Sequence, residues 1–338
     1  MHMLRISDRT SAAQSAAFSL RSLAAIALLA IACGTSSQAW CKSGESLWVA
    51  DTGNSRIVEL VPNDLKHNGS PTPVTIDSLN SDQGLAFDKS KNLWFEAFDN
   101  FVLEFTAAQL KTLGTTPNPT PATEFGSGAE AARACIFDHN GNLWIIDAQD
   151  AVDEFTNAQL TVGGSTSPAI RVSSDGSLDG PEFGVFDKSD NLWLSSEDNS
   201  EVEEFTASQL DSSGDKTPAV ILSANSGSLD SPEQLAFDHK GNLWVANAGN
   251  ATVVMFAKKQ LKASGMPVPA VTLSSSAFDD PTGLAFDGSG NLWVSNLTGG
   301  QISKFTSKQL RKSGSPTPKI AITGVLGESH QMTFGPVF

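Results

Sequence analysis

Six polar residues recur at one offset in this 338-residue chain. Gln83, Arg133, Glu182, Glu233, Thr282 and His330 each stand four residues before a phenylalanine. Among them, Glu182, Glu233 and His330 offer oxygen and nitrogen donors to a divalent cation such as calcium, magnesium, manganese or zinc. Arg133 would instead hold the carboxylate of Glu182 in an ion pair. A set that is always polar yet varies from copy to copy suits a ligand site on a repetitive scaffold, and a wet channel mouth has the same composition.

A second constellation lies in "AFDHKGNLWVANAGN", Ala236 to Asn250, where Asp238, His239, Asn242, Asn247 and Asn250 surround two glycines. These are metal- and anion-binding types. Yet Asp238, Gly241 and Asn242 recur as Asp138, Gly141 and Asn142 and as Asp287, Gly290 and Asn291, with Lys91 and Asp190 in the glycine place of two further copies. Asp and Asn bond local backbone in tight turns and Gly supplies a positive φ, so this set makes a turn. His139 and His239 fall in those turns, which reads as solvent exposure.

The elements that position both sets form a repeat. Tryptophans that follow leucine stand at 48, 94, 144, 193, 244 and 293, between 46 and 51 residues apart. Around each runs apolar-x-Phe-Asp, a turn, Asn-Leu-Trp, a polar loop, apolar-x-x-Phe, then Thr-x-x-Gln-Leu and a Pro-x-apolar-x-apolar close. The short apolar runs between turn residues read as four strands per unit, for example Gly84 to Asp88, Leu93 to Ala97, Val102 to Phe105 and, in a later unit, Pro218 to Leu222. The "TAAQ", "TNAQ", "TASQ" and "TSKQ" stretches read as capping boxes. A glycine four residues beyond each following leucine, at 69, 114, 164, 214, 265 and 314, reads as a helix stop in left-handed geometry.

Six four-stranded units of about 50 residues predict an all-β fold, a six-bladed β-propeller. The first unit lacks a Phe-Asp strand, and "QMTFGPVF" at the C-terminus supplies that pattern in register. The C-terminal strand is therefore expected to complete the first blade and close the ring. In such a wheel the six polar residues gather at the channel mouth. The loops Asp51, Glu96, Asp99, Asp147, Asp150, Glu197, Asp198, Asn247 and Asn296 extend that face, as ligand contacts or as solvated loops.

Residues 1–39 lie outside this repeat. Arg5, Arg9 and Arg21 precede an apolar run from Leu23 to Ala32, the layout of a removable secretory signal, too short for a permanent bilayer span. Cleavage after Ala39 leaves residues 40–338 as one propeller domain; "LAIAC" offers lipid anchoring at Cys33 as the other outcome. The expected location is periplasmic or extracellular. Cys41 and Cys135 then remain, too few for a disulfide scaffold, and Cys135 in its apolar strand reads as a buried hydrophobe. The formal charge of −15 becomes −17 once the signal's three arginines and one aspartate are removed. Such a surface repels phosphates and excludes a nucleic-acid role. No transmembrane span and a monomer are expected.

"VADTGNSRIVEL", Val49 to Leu60, resembles the signature of NHL-repeat propellers. "LAFDGSGNLWVSN", Leu284 to Asn296, is similar to the same repeat and to its streptogramin-lyase and gluconolactonase relatives. In the gluconolactonase-like members the resemblance implies metal ligands, an Asp or Asn before the glycine of the inner strand. Gln83 and Thr282 occupy that place here, a departure from the pattern. The sequence also lacks a Ser-His-Asp order, a phosphate loop and a helix-borne His-Glu motif. The reading is an exported propeller that binds a protein or carbohydrate ligand at its channel mouth without catalysis. The alternative is a metal-dependent hydrolase or lyase centred on Glu182, Glu233 and His330.

Overall fold

The computed structural model describes residues 44–338 apart from 78, 80, 98–100, 115–118, 130, 163–166 and 175, with 81–83 as backbone only. The signal segment, Cys33, Cys41 and Asp99 lie outside the described residues. Six antiparallel sheets form the blades of a propeller. Blade one joins Ser329–Gly335, Ser46–Asp51, Arg56–Leu60 and Val74–Asp77, with Leu47 opposite Phe334 and Val49 opposite Met332. The C-terminus thus supplies the innermost strand of the first blade, as expected. The innermost strands of blades two to six are Ser81–Phe87, Ala132–Phe137, Pro181–Phe186, Pro232–Phe237 and Pro281–Phe286.

The repeated Phe and Trp have one job. Each inner-strand Phe meets the Trp of the preceding blade edge-on, from Trp48–Phe87 at 5.5 Å between ring centroids to Trp293–Phe334 at 6.3 Å. All six blade boundaries carry this pair. Each contributes about 0.5–1.5 kcal/mol beyond its buried area. The wheel is therefore held by contacts between blades.

The Asp-x-x-Gly-Asn segment is a turn, and it reaches further than its own residues. The Asp carboxylate accepts the backbone N–H of the Asn four residues on, at 2.9 Å for Asp88–Asn92 and 3.0 Å for Asp287–Asn291. The Trp94 indole N–H donates to the same aspartate at 3.0 Å. The Asn92 carboxamide oxygen then accepts the backbone N–H of Ala107 at 3.0 Å, and Asn142, Asn191, Asn242 and Asn291 repeat this contact. Lys91 and Asp190, which replace the glycine, keep its positive φ at 68° and 58°. His139, expected in solvent, pairs through its ring with Asp190 of the next blade.

The backbone N–H of Thr106, Thr156, Thr206 and Thr306 donates to the glutamine side chain, each at 2.9 Å, and the reciprocal bond to the Thr hydroxyl completes the box at Thr106, Thr156 and Thr306. The glycine beyond them departs from expectation. Gly69, Gly214, Gly265 and Gly314 have φ of 147°, 123°, 159° and 152°, extended rather than left-handed helical; Gly114, at 76°, is the exception. Gly164 lies outside the described residues. The extended glycines lie parallel to the outer strand of the preceding blade. Gly265 N–H donates to Ile221 O and Gly314 N–H to Thr272 O, at 2.9 and 3.0 Å. The residue before the glycine adds a bond: Ser264 and Ser313 accept the N–H of Ile221 and Thr272, each at 3.0 Å. The insertion therefore covers the exposed edge of its neighbour, the part of a blade most prone to pair with another chain. The fourth strands also begin past their prolines, at Val220 rather than Pro218.

Candidate functional site

The inner strands enter their sheets through an irregularity. In blade five Pro232 faces Asn247 and Leu235 faces Val245, so Glu233 and Gln234 together oppose one residue. The register shifts likewise between Pro181 and Gly184, Ala132 and Ala134, Pro281 and Gly283, and Ser81 and Leu85. In blade one it shifts opposite Val49 to Asp51, at His330 and Gln331. The six ring positions all fall in these bulges, which re-aim side chains out of the alternating pattern.

Four of the six ring side chains share one electrostatic environment. Arg133 Nε lies 3.3 Å from Glu182 Oε1, the pairing anticipated from sequence. Burial pushes the Glu182 carboxyl up to about 7 against the pull of Arg133, and Glu197 and Asp198 push the same way. The Glu197 side chain is thus a close neighbour of Glu182 in this cluster. Glu233, 8% exposed, has its carboxyl raised well above the ordinary range by burial first and then by Glu182 and Glu197. Its Oε2 has no hydrogen-bond partner among the described residues. Burial and then Arg133 lower the His330 imidazole to about 4, so it is neutral at physiological pH.

Thr282 is different: it is fully buried and its hydroxyl donates to the Ser329 carbonyl at 2.6 Å. It binds one blade to the next. For Gln83 only the backbone is described.

One residue deeper, the hub is tied by two glutamines that the sequence reading passed over. The Gln234 carboxamide accepts the N–H of Leu284 at 2.9 Å and of Met332 at 3.1 Å, and donates to Met332 O at 3.0 Å. Gln331 accepts the N–H of Leu85 at 2.8 Å. Inner strands present an unpaired edge to the channel, and these amides satisfy it. The signal was a glutamine directly after the ring position, where the other copies carry Gly84, Ala134, Phe183 and Gly283.

Several loop residues named with this face are structural. Asp51, Asp147, Asn247 and Asn296 are buried, not solvated. Asn247 Nδ2 donates to Ser228 O at 3.1 Å and Asn296 Nδ2 to Ala277 O at 2.8 Å, each fixing the approach to its inner strand. Asp147 accepts the N–H of Ala131 and Gln149. Glu197 and Asp198 are the loop residues that belong to the charged cluster. Among the described residues no group of three or more His, Cys, Asp or Glu is placed to hold a metal ion. Glu182, Glu233 and His330 each lie within the electrostatic reach of Arg133.

Solved structures share this architecture. A protein of unknown function from Bacteroides caccae matches with a TM-score of 0.63 at 12% identity, over 87% of this chain and 99% of that one. A chain of a nidogen/laminin complex matches at 0.59 and 15% identity, over 86% and 98%. Virginiamycin B lyase from Staphylococcus aureus matches at 0.47 and 12% identity, over 68% of each chain. For the first two, such identities show likeness of fold alone. No protein-family model and no curated protein matches the sequence. Among the described residues, no helix is long and apolar enough to cross a membrane.

Proposed function

We propose that this chain is an exported, NHL-like propeller that binds a protein or carbohydrate ligand at its channel mouth without catalysis. One observation carries the reading. Arg133, Glu182, Glu197 and Glu233 converge from three blades, and a buried oxygen of Glu233 lacks a partner among the described residues. An unpaired buried acceptor costs about 1–3 kcal/mol, which a ligand hydroxyl or N–H would recover. Carboxyls held protonated near neutrality donate as well as accept, as polyhydroxy ligands and peptide amides require. The signal layout of residues 1–39 supports export, and "VADTGNSRIVEL" supports the NHL relationship.

The test is a screen of the purified chain on glycan and peptide arrays, repeated with Arg133→Ala and Glu233→Ala. The expected outcome is a ligand retained by the wild type and lost by both variants. Binding that neither substitution alters would sink the assignment to the mouth. Hydrolysis of lactones or esters that Glu233→Ala abolishes would overturn the absence of catalysis.

A further inference from the structure

At the opposite end of the strands from the mouth, blades four and five enclose a pocket of about 210 Å³. Phe186, Trp193, Phe237 and Leu261 give it an apolar wall, and Lys188, Lys258 and Lys262 also line it. None of these lysines forms an ion pair among the described residues.

Two other blade boundaries provide internal controls, although the buried Trp48 indole N–H of blade one, like that of Trp193, has no partner among the described residues. Equivalent pockets lie between blades two and three and between blades six and one. There the indole N–H groups of Trp94 and Trp293 are satisfied by Asp88 and Asp287, at 3.0 and 3.3 Å. In the latter pocket the Lys304 ammonium also pairs with Asp287 at 2.9 Å and sits 4.9 Å from the Trp293 ring. At blade four the indole N–H of Trp193, a residue 2% exposed, has no partner among the described residues. A buried donor left unmade beside a cation-lined apolar slot is a site short of an anionic oxygen.

We propose that this pocket binds a small amphipathic carboxylate, its apolar body against Phe186, Phe237 and Leu261 and its carboxylate toward the Trp193 indole N–H and the three lysines. The site is separate from the mouth and independent of the ligand proposed there. None of the pocket's own acids accepts the Trp193 indole N–H among the described residues. The Asp187 carboxylate accepts from Ser189 N–H at 2.7 Å and Asn191 Nδ2 at 3.0 Å. Asp238 accepts from Lys240 N–H at 2.8 Å and Asn242 Nδ2 at 2.7 Å. Burial, then Asp187, pushes Glu204 up to about 7. Asp187 and Asp238 also line the pocket. Above that pH Glu204 adds a negative charge beside the lysines, so affinity for the ligand falls.

Phenylacetate is the probe, followed by calorimetry and by the indole N–H resonance of Trp193, assigned with Trp193→Phe. The expected result is saturable binding with a Kd of about 1 mM or tighter and a shift of that resonance. Lys258→Glu with Lys262→Glu, both at the surface, should weaken binding at least about tenfold, as should replacing the probe by 2-phenylethanol. Glu204→Gln should keep the affinity that the wild type loses above pH 7. No shift at saturating probe, equal binding of the alcohol, or indifference to the double lysine variant overturns the proposal.

Discussion

Arg133 reaches across a blade boundary to place its Nε 3.3 Å from Glu182 Oε1, yet the carboxyl it approaches still titrates near 7. Desolvation outweighs the ion pair because Glu182 is 7% exposed while the arginine, at 38%, keeps much of its hydration. The cluster therefore stores electrostatic tension, and pH should reveal it.

The folded state raises the Glu182 pKa from 4.5 to about 7, so it binds this proton more tightly than the unfolded chain. Stability from this group is complete below 4.5 and is lost as pH rises through about 7. Glu182→Gln should remove that loss, on the order of 2 kcal/mol between pH 5 and pH 7.5. His330 acts in the opposite sense below its ordinary value of 6.5, but equally in both proteins. Urea unfolding at the two pH values checks this, and an identical decline in wild type and variant would refute it.

Ring closure makes a second prediction. Deleting Gln331 to Phe338 removes most of the strand paired with Ser46–Asp51, the Phe334 ring against Trp293, and the acceptor for Leu85 N–H. Two blade boundaries and one sheet edge are opened together. The truncated chain should lose its cooperative thermal transition in calorimetry. A single sharp endotherm near the wild-type temperature would show that the wheel does not need its closing strand.

The sequence carried the wheel more clearly than the hub, for a physical reason. Trp, Phe and the Asp–Asn turn repeat because each blade boundary presents the same packing problem, so six copies expose their role. The pairing of Arg133 with Glu182 was legible because both occupy one column of the repeat. The bulges that aim that column were not, since a two-residue alternation assigns each side chain a fixed face. Gln234 and Gln331 bond backbone in other blades, a role no local pattern encodes. The glycines at 69, 214, 265 and 314 were misread because positive φ serves both helix ends and extended close approach.

Those glycines give a third prediction, set against Gly84. A Cβ on Gly265 would meet nothing within 4 Å, so Gly265→Ala costs only the backbone preference at φ 159°, about 1–3 kcal/mol. A Cβ on Gly84 would lie 2.4 Å from Ala134 Cα, a backbone atom of the next blade. That clash can be relieved only by parting two inner strands. Gly84→Ala should therefore be the more destabilising substitution in denaturant titrations, and the reverse order would refute the steric account.

Arg171 supplies the last. Its guanidinium bonds Asp153 at 2.6 Å and Asp147 at 3.2 Å, and both carboxylates are buried while the arginine is 42% exposed. Burial raises the Asp153 carboxyl to about 6 even with the arginine present, and Asp147 pushes in the same direction. Arg171→Ala would leave two buried acids facing each other without a cation, which costs about 3–5 kcal/mol where both stay ionised. Lower pH allows the pair to take up a proton instead. The variant should thus lose far more stability at pH 8 than at pH 5, and Asp153→Asn in the same background should restore much of it at pH 8. Equal losses at the two pH values would mean that the arginine acts through packing of its stem, not through its charge.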